Sequence, residues 1–419
     1  MPVTMSDHSD SVATVVTKAL QKLEVVLKVT ADELQGDFID PRSNLFEPGE
    51  INLEDEIVLG FPRCDDGIEL TYGQLPALVG EVSEIELVGN LECWTSNQLC
   101  MRIAPVFPDT SFYQLEELVG RGVLQSVHVD GNDYELSFVS GATIFGFAVL
   151  KFGYWDKYIP PLLSEDFFIS VRWTGAADRN VVRRLVDSLI FELAASFNVN
   201  LERSPRPETL VEFEQFDTLL PDRELRPLVH DEGLAEVLRL YSFAIATSDP
   251  QFQIIGFVKV LEHISVTVVR EDLTAAVRTK LLSSRALEPD AEYILDLVTE
   301  INCHKSQHRK DSDALLLTIQ KCCDPTELAR CAPHYLQIRK INVTSSQKDR
   351  DAALKQFSAA ISATRNEIVH AKLNYEKTGD ECPEEFRSSF AKSCRVAAEQ
   401  AIRWFALQHK SLRVDRFPD

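Results

Sequence analysis

Three polar residues near the end of a long amphipathic stretch, Arg365, Asn366 and His370, have the side chains needed for phosphodiester chemistry. A helix turns by about 100° per residue, so Asn366 and His370 lie on one face and the long Arg365 side chain reaches the same place. An imidazole can take a proton from a 2′-hydroxyl, or give one to a leaving 5′-oxygen, near neutral pH. A guanidinium can hold the phosphate and offset the charge that grows in the transition state.

The same residue types also meet at helix ends for structural reasons, as solvated polar groups or as caps of the last turn. Spacing alone therefore leaves two interpretations open. Either the three residues form a catalytic cluster, or they are a capping cluster in a helical domain without catalytic activity.

The hexapeptide R-N-E-I-V-H at residues 365–370 resembles the R-N-x-x-x-H signature of the HEPN superfamily. Its members are mostly small all-helical ribonucleases or nucleotide-binding modules, and the resemblance covers residues 231–409. It implies metal-independent endoribonuclease activity on an RNA substrate, with Arg365, His370 and Asn366 as the catalytic set and no cofactor. It also implies a homodimer that pairs through the motif helix. By resemblance, the expected biology is bacterial antiviral defence or toxin-like growth arrest.

Within that resemblance, His370 is expected to act as general acid and base, Arg365 to clamp the scissile phosphate, and Asn366 to support their geometry. Attack by the 2′-hydroxyl leaves a 2′,3′-cyclic phosphate and a 5′-hydroxyl. Two further residues are candidate supports. Glu262, in an apolar helix, can orient Arg365 if the two helices pack side by side, or can form an ordinary interfacial salt bridge. Lys372 can add positive charge for a phosphate, or can simply satisfy the helix dipole.

The charge of the chain is unevenly distributed. The 419 residues carry a net charge of −22. Residues 231–419 hold 26 Lys and Arg against 27 Asp and Glu, a net of −1, which leaves −21 for residues 1–230. Residues 301–372 hold 12 basic and 7 acidic side chains, a local +5. The C-terminal half can therefore bind a polyanion, whereas the acidic half repels one and is expected to bind a protein trigger or inhibitor.

A second cluster, rich in cysteine and histidine, lies between residues 303 and 334, but its spacing contains no C-x-x-C pair of the kind that most tetrahedral zinc sites use. Buried thiols and solvated histidines are the favoured interpretation, and no metal site is expected. Its members are Cys303, His304, His308, Cys322, Cys323, Cys331 and His334.

The pattern of apolar residues predicts an α+β protein. Residues 1–200 are expected to form a mixed α+β domain, 201–230 a proline-containing linker, and 231–419 an all-α HEPN-like bundle. Expected elements are a helix over 12–35, a hairpin over 124–139, buried strands over 143–152 and 166–173, and a helix over 178–197. In the bundle, separate helices are expected over 250–266 and 272–283, and the motif helix over 346–375.

The sequence shows no secretory signal and no apolar run of the length that a membrane span requires. Nine scattered cysteines, an odd number, favour reduced thiols, so a cytoplasmic location without membrane contact is expected. The alternative to an enzyme is a non-catalytic HEPN-like module that binds nucleotide or RNA, or that dimerises.

Overall fold

The computed structural model divides the chain into two compact units. Unit 1 comprises Met1–Val186 and Leu201–Arg223, and unit 2 comprises Asp187–Asn200 and Glu224–Asp419. The residues that the structure describes are 12–29, 34, 53–64, 67–106, 110–156, 159–206, 224–231, 233–307, 310–370 and 377–413. Unit 1 contains the strands and unit 2 is helical, which confirms the predicted α+β class.

Unit 1 is built on an antiparallel sheet of seven described strands in the order β3-β4-β5-β8-β7-β6, with β9 also pairing with β5. Strands β1 and β2 form a second, two-stranded sheet. The strands are β1 (Glu56–Gly60), β2 (Gly67–Thr71), β3 (Glu86–Val88), β4 (Glu92–Trp94), β5 (Gln98–Pro105), β6 (Leu124–Val129), β7 (Asn132–Ser140), β8 (Phe167–Trp173) and β9 (Leu201–Arg203). The helices are α1 (Val12–Leu27), α2 (Leu75–Glu84), α3 (Phe112–Gly120), α4 (Ile144–Phe152) and α5 (Arg179–Phe197).

The predicted hairpin is confirmed as β6 and β7. Asp130 and Gly131 take positive φ values of 49° and 81° between the two strands. Such a turn matches the right-handed twist of the strands it joins, and Asp-Gly is among the pairs that favour it. The strand predicted over 166–173 is confirmed as β8, and the helix predicted over 178–197 as α5.

The strand predicted over residues 143–152 is wrong, because this segment forms α4. Thr143 precedes the helix in an extended conformation, and Gly153 ends it with a left-handed φ of 72°. Residues 144–150 are all buried. A helix that is apolar on every side carries no helical periodicity, so its short apolar run reads equally well as a buried strand.

The division of the chain differs from the boundary predicted at residue 200. The second part of α5 belongs to unit 2, where the Phe191 ring contacts Tyr241 edge-on at 5.0 Å. Residues 201–203, predicted as the start of the linker, instead form β9 and pair with β5. Residues 207–223 of that predicted linker lie outside the described residues.

Unit 2 is a bundle in which α7 is the central helix. Around it pack α6, α8, α9, α11 and α12. Their bounds are α6 (Ala235–Ile245), α7 (Pro250–Leu281), α8 (Ala291–Gln307), α9 (Asp311–Cys322), α10 (Pro325–Cys331), α11 (Gln347–Val369) and α12 (Arg387–Ala406).

Helix α7 is one continuous helix of 32 residues, so the two helices predicted over 250–266 and 272–283 are wrong. Asp249 caps it by accepting a hydrogen bond from the Gln251 N–H at 2.7 Å, and Pro250 occupies its first turn. By length and composition α7 is apolar enough to cross a membrane, but 61% of its most apolar 18-residue window is buried in the structure. The core helix of a soluble bundle meets the same criterion.

Charged groups are buried where α5, α6 and α12 meet within unit 2. Arg395 donates to Glu399 at 2.9 Å and to the carbonyl of Ala194 at 2.6 Å, and the Tyr241 hydroxyl donates to Glu399 at 2.6 Å. Arg403 donates to Glu192 at 2.8 Å. Burial raises the pKa of the Glu192 carboxyl to about 7, against the lowering effect of Arg403.

The close approach of α6 and α7 predicts that one methyl group added at Gly256 lowers the stability of the fold. A Cβ on Gly256 would lie 2.5 Å from the Cβ and 2.9 Å from the Cα of Ala244. We expect Gly256→Ala to lower the free energy of unfolding by about 1–2 kcal/mol in urea titrations, since overpacking outweighs the helix propensity of alanine. The matched control is Gly80→Ala in α2, where a Cβ meets nothing within 4 Å. Equal stability of the two variants would contradict the close contact.

The raised pKa of Glu192 predicts that its burial lowers the free energy of unfolding as pH rises. The folded state keeps the Glu192 proton up to about pH 7, whereas the unfolded chain releases it near its ordinary value of 4.5. Between those values the unfolded state binds fewer protons, so rising pH favours unfolding. We expect Glu192→Gln to gain about 2–3 kcal/mol relative to the wild type between pH 5 and pH 8. The control is Glu236→Gln at an exposed ion pair with Arg239, which should leave the pH curve unchanged.

Candidate functional site

The motif lies in the last turn of α11, which places its residues at a helix end. Ser346 begins the helix by accepting a hydrogen bond from the Asp349 N–H at 3.2 Å. The helix ends at Val369, not near residue 375 as predicted, and His370 caps it with φ −104° and ψ 35°. The buried face of α11, which includes Phe357 and Ile361, anchors this end in the core of unit 2.

Arg365 and Asn366 contact each other through their side chains. The Arg365 Nη1 donates to the Asn366 Oδ1 at 3.1 Å. The Arg365 Nη2 lies 3.5 Å from the Glu262 Oε1 of α7, so α7 and α11 pack side by side. The Arg365 side chain is 33% exposed. Its guanidinium has five N–H donors, so these two contacts leave others that can reach a phosphate.

His370 is exposed at the end of the same helix. Its backbone N–H donates to the Asn366 carbonyl at 2.9 Å, which continues the helical hydrogen-bond pattern and holds His370 one turn beyond Asn366. An exposed side chain at this position is accessible to a bound substrate. The three candidate catalytic residues are therefore all near the surface at one end of α11.

The opposite side of this helix end is tied to the segment that follows the motif. Glu367 accepts from Lys377 at 2.8 Å and from Arg387 at 3.2 Å. The buried Thr364 hydroxyl accepts the backbone N–H of Cys382 at 2.8 Å. Glu367 therefore faces Lys377 and Arg387 on the side of α11 that is away from Glu262. The hydrogen bond of Thr364 holds residues 377–382, the return segment, against the motif helix.

The two candidate supporting residues have different outcomes. Glu262 lies beside Arg365, with a side chain that is 27% exposed. This position suits an orienting role, and it equally suits an interfacial ion pair. Lys372 lies outside the described residues, as do its neighbours from 371 to 376.

The described members of the cysteine and histidine cluster between residues 303 and 334 have separate contacts in the structure, and His308 lies outside the described residues. His304 contacts Asp272 at 2.8 Å, and Asp272 also accepts from Lys321 at 2.7 Å, which joins α7, α8 and α9. The His334 ring packs edge-on against Phe386. Among the described residues, no three His, Cys, Asp or Glu side chains are grouped so as to hold a metal ion.

All nine cysteines are free thiols, and they differ in access to solvent. Cys303 in α8 is exposed, whereas Cys93, Cys100, Cys323, Cys382 and Cys394 are buried and the other three are partly buried. Burial raises the pKa of the Cys100 and Cys323 thiols to about 12.

Unit 1 has a surface concavity of about 560 Å³ beside strands β6, β7 and β8 that the sequence did not predict. Its lining includes His128, Asp133, Glu135 and Arg172. The His128 ring contacts Asp133 at 2.7 Å, with both side chains well exposed. These residues alternate with apolar ones along their strands, so the sequence marks them only as the polar face of a sheet.

Comparison with known proteins gives no relative for this chain: no family model, no curated protein and no solved structure matches it. The candidate site is therefore defined by the geometry of its own residues.

The bond between Thr364 and Cys382 predicts that the end of the motif helix depends on one buried hydroxyl. Thr364→Val keeps the shape of the side chain but leaves the Cys382 N–H buried without its acceptor. We expect a loss of about 1–3 kcal/mol in the free energy of unfolding, and faster hydrogen exchange at the Cys382 amide. Thr364→Ser retains the hydroxyl and is the control. Unchanged exchange in Thr364→Val would show that this bond does not hold the return segment.

Proposed function

We propose that unit 2 is a metal-independent endoribonuclease of the HEPN type. His370 is the general acid and base, Arg365 binds the scissile phosphate, and Asn366 holds the guanidinium in place. Attack of the 2′-hydroxyl on phosphorus expels the 5′-oxygen and leaves a 2′,3′-cyclic phosphate and a 5′-hydroxyl.

The observation that supports this proposal is that the three residues lie at one helix end near the surface. The 3.1 Å bond between Arg365 and Asn366 fixes a cation beside an amide, and His370 follows one turn later in contact with solvent. An imidazole can transfer a proton and a guanidinium can stabilise the developing charge, so one helix end carries both groups that the reaction requires.

Pairing of two chains is part of this proposal. Cleavage requires one proton to leave the 2′-hydroxyl and another to reach the 5′-oxygen, and each chain contributes one motif histidine. Two copies that meet through the motif helix would supply both. The resemblance to HEPN proteins further suggests a cytoplasmic role in bacterial antiviral defence or toxin-like growth arrest, with acidic unit 1 regulating the nuclease.

The ion pair of Arg365 with Glu262 favours a second candidate. If the guanidinium serves mainly to join α11 to α7, unit 2 is a non-catalytic module that binds nucleotide or RNA, or that dimerises. The two candidates differ in what they do to RNA, so cleavage separates them.

The test is incubation of the full chain with tRNA and mRNA in EDTA, with and without substitutions at the site. We expect the wild type to cut, with products that carry 2′,3′-cyclic phosphate ends. We expect His370→Ala and Arg365→Ala each to lower the cleavage rate by about 100-fold or more, because each removes a group that acts in the transition state.

Two matched controls isolate the site. His409→Ala and Arg239→Ala remove the same side-chain types from exposed positions elsewhere in unit 2 and should retain activity. An oligonucleotide with one 2′-deoxyribose at the scissile position should resist cleavage there. A wild type that leaves RNA intact, while calorimetry shows nucleotide binding that requires Arg365, would replace the nuclease with the binding module.

A further inference from the structure

The last turn of α11 has two sides with different charged neighbours. On one side, Arg365 lies 3.5 Å from Glu262 of α7. On the opposite side, about 200° round the helix from Arg365, Glu367 contacts the segment that follows the motif. Asn366 and His370 lie between them, about 100° and about 140° round from Arg365. An RNA strand that binds at the motif can therefore leave it over the α7 side or over the Glu367 side.

The Glu367 side is negatively charged. Residues 377–387, which contain the return segment and the start of α12, hold four acidic and two basic side chains, a net of −2. Both basic side chains, Lys377 and Arg387, are paired with Glu367, and that carboxylate brings the net charge of this side to −3. A surface of this sign repels a polyanion.

Two of these acidic residues are held close to the end of α11. Asp380 and Glu384 are exposed, two residues before and two residues after Cys382. The Cys382 N–H donates to Thr364 of α11 at 2.8 Å. The last two turns of α11 are about 11 Å long, which is close to the Debye length of about 10 Å at 0.1 M salt. Salt at this concentration therefore screens these carboxylates only in part from a phosphate at the motif.

The α7 side carries the opposite charge. Lys259 is exposed and lies three residues before Glu262, so the two side chains are neighbours on one face of α7. Within residues 258–266 these two are the only acidic or basic side chains, and with Arg365 the three groups sum to +1. An ammonium offers three donors and binds phosphate as a point charge. This side can therefore hold a phosphate beside the one that Arg365 contacts.

We propose that RNA crosses the motif on the α7 side, where Lys259 binds a phosphate that neighbours the scissile one. Asp380 and Glu384 exclude the strand from the opposite side. This inference rests on the proposed function, because it extends the substrate site at Arg365. A strand held from one side makes few phosphate contacts, so its binding is expected to be weak and to strengthen when the opposite side is neutralised.

Fluorescence anisotropy of a labelled 2′-O-methyl RNA of about 12 nucleotides measures binding to the full chain without cleavage. Lys259→Ala should weaken binding about threefold and lower the slope of log K against log salt by about 0.7, because one phosphate contact is lost. Asp380→Asn with Glu384→Gln should strengthen binding about threefold at about 0.05 M salt. That gain should disappear near 1 M salt, where the Debye length is about 3 Å. A purely structural role for these exposed side chains would not change affinity in opposite directions.

Two matched controls remove the same types of charge far from the motif. Lys348→Ala changes an exposed lysine at the other end of α11, about 25 Å from Arg365 along the helix. Glu288→Gln with Glu292→Gln changes two exposed carboxylates where α8 begins, beside the far end of α7. Both controls should bind RNA as the wild type does.

Cleavage of the same sequence with its 2′-hydroxyls separates this inference from the nuclease. The substitutions should change KM and leave kcat within about twofold, because they alter binding away from the reacting atoms. A wild type that cuts RNA, with an affinity that Lys259→Ala leaves unchanged, would overturn the proposed path and retain the nuclease. So would weaker or equal binding by the Asp380→Asn and Glu384→Gln variant. A wild type that binds RNA without cutting it, with the expected shifts in affinity, would overturn the nuclease and retain the path. A wild type that binds no RNA would overturn both.

Discussion

Burial of the N-terminal half of α7 is the constraint on which unit 2 depends. Its apolar side chains are enclosed by α6, α9, α11 and α12, and the α6 contact is close enough to require glycine at position 256. This packing fixes the position of Glu262 beside α11, and therefore the position at which the Glu262 carboxylate meets the Arg365 guanidinium. The polar cluster at the end of α11 is therefore positioned by a hydrophobic contact made largely outside it.

Element type was predictable where a local signal was strong, and was missed where burial removed that signal. Asp130-Gly131, between two segments in which apolar and polar residues alternate, made the hairpin predictable, and Asp249-Pro250 made the start of α7 predictable. Helix α4 was mistaken for a strand because it is buried on all sides. The continuity of α7 was missed because its second half, near Glu271 and Asp272, becomes polar, and those charges are used by Lys321 of α9, distant in sequence.

The candidate site was predictable in composition but not in its surroundings. The spacing of Asn366 and His370 follows from helical geometry, and the Arg365–Asn366 contact agrees with it. Nothing in the sequence indicates that Thr364 accepts the Cys382 N–H, because that bond joins residues 18 apart through a chain reversal. The C-terminal end of α11 was predicted too late, near residue 375, because the residues after His370 keep a polar, helix-compatible composition.

The uneven access of the thiols has a practical consequence for studying this molecule. At neutral pH, a thiol with a pKa of about 12 holds almost no thiolate, so Cys100 and Cys323 react very slowly with electrophiles even when solvent reaches them. Cys303 is the exposed thiol of the nine and lies on α8. A maleimide dye or spin label would therefore attach first to α8 of the unmodified chain, and would report the motion of this helix without any engineered cysteine.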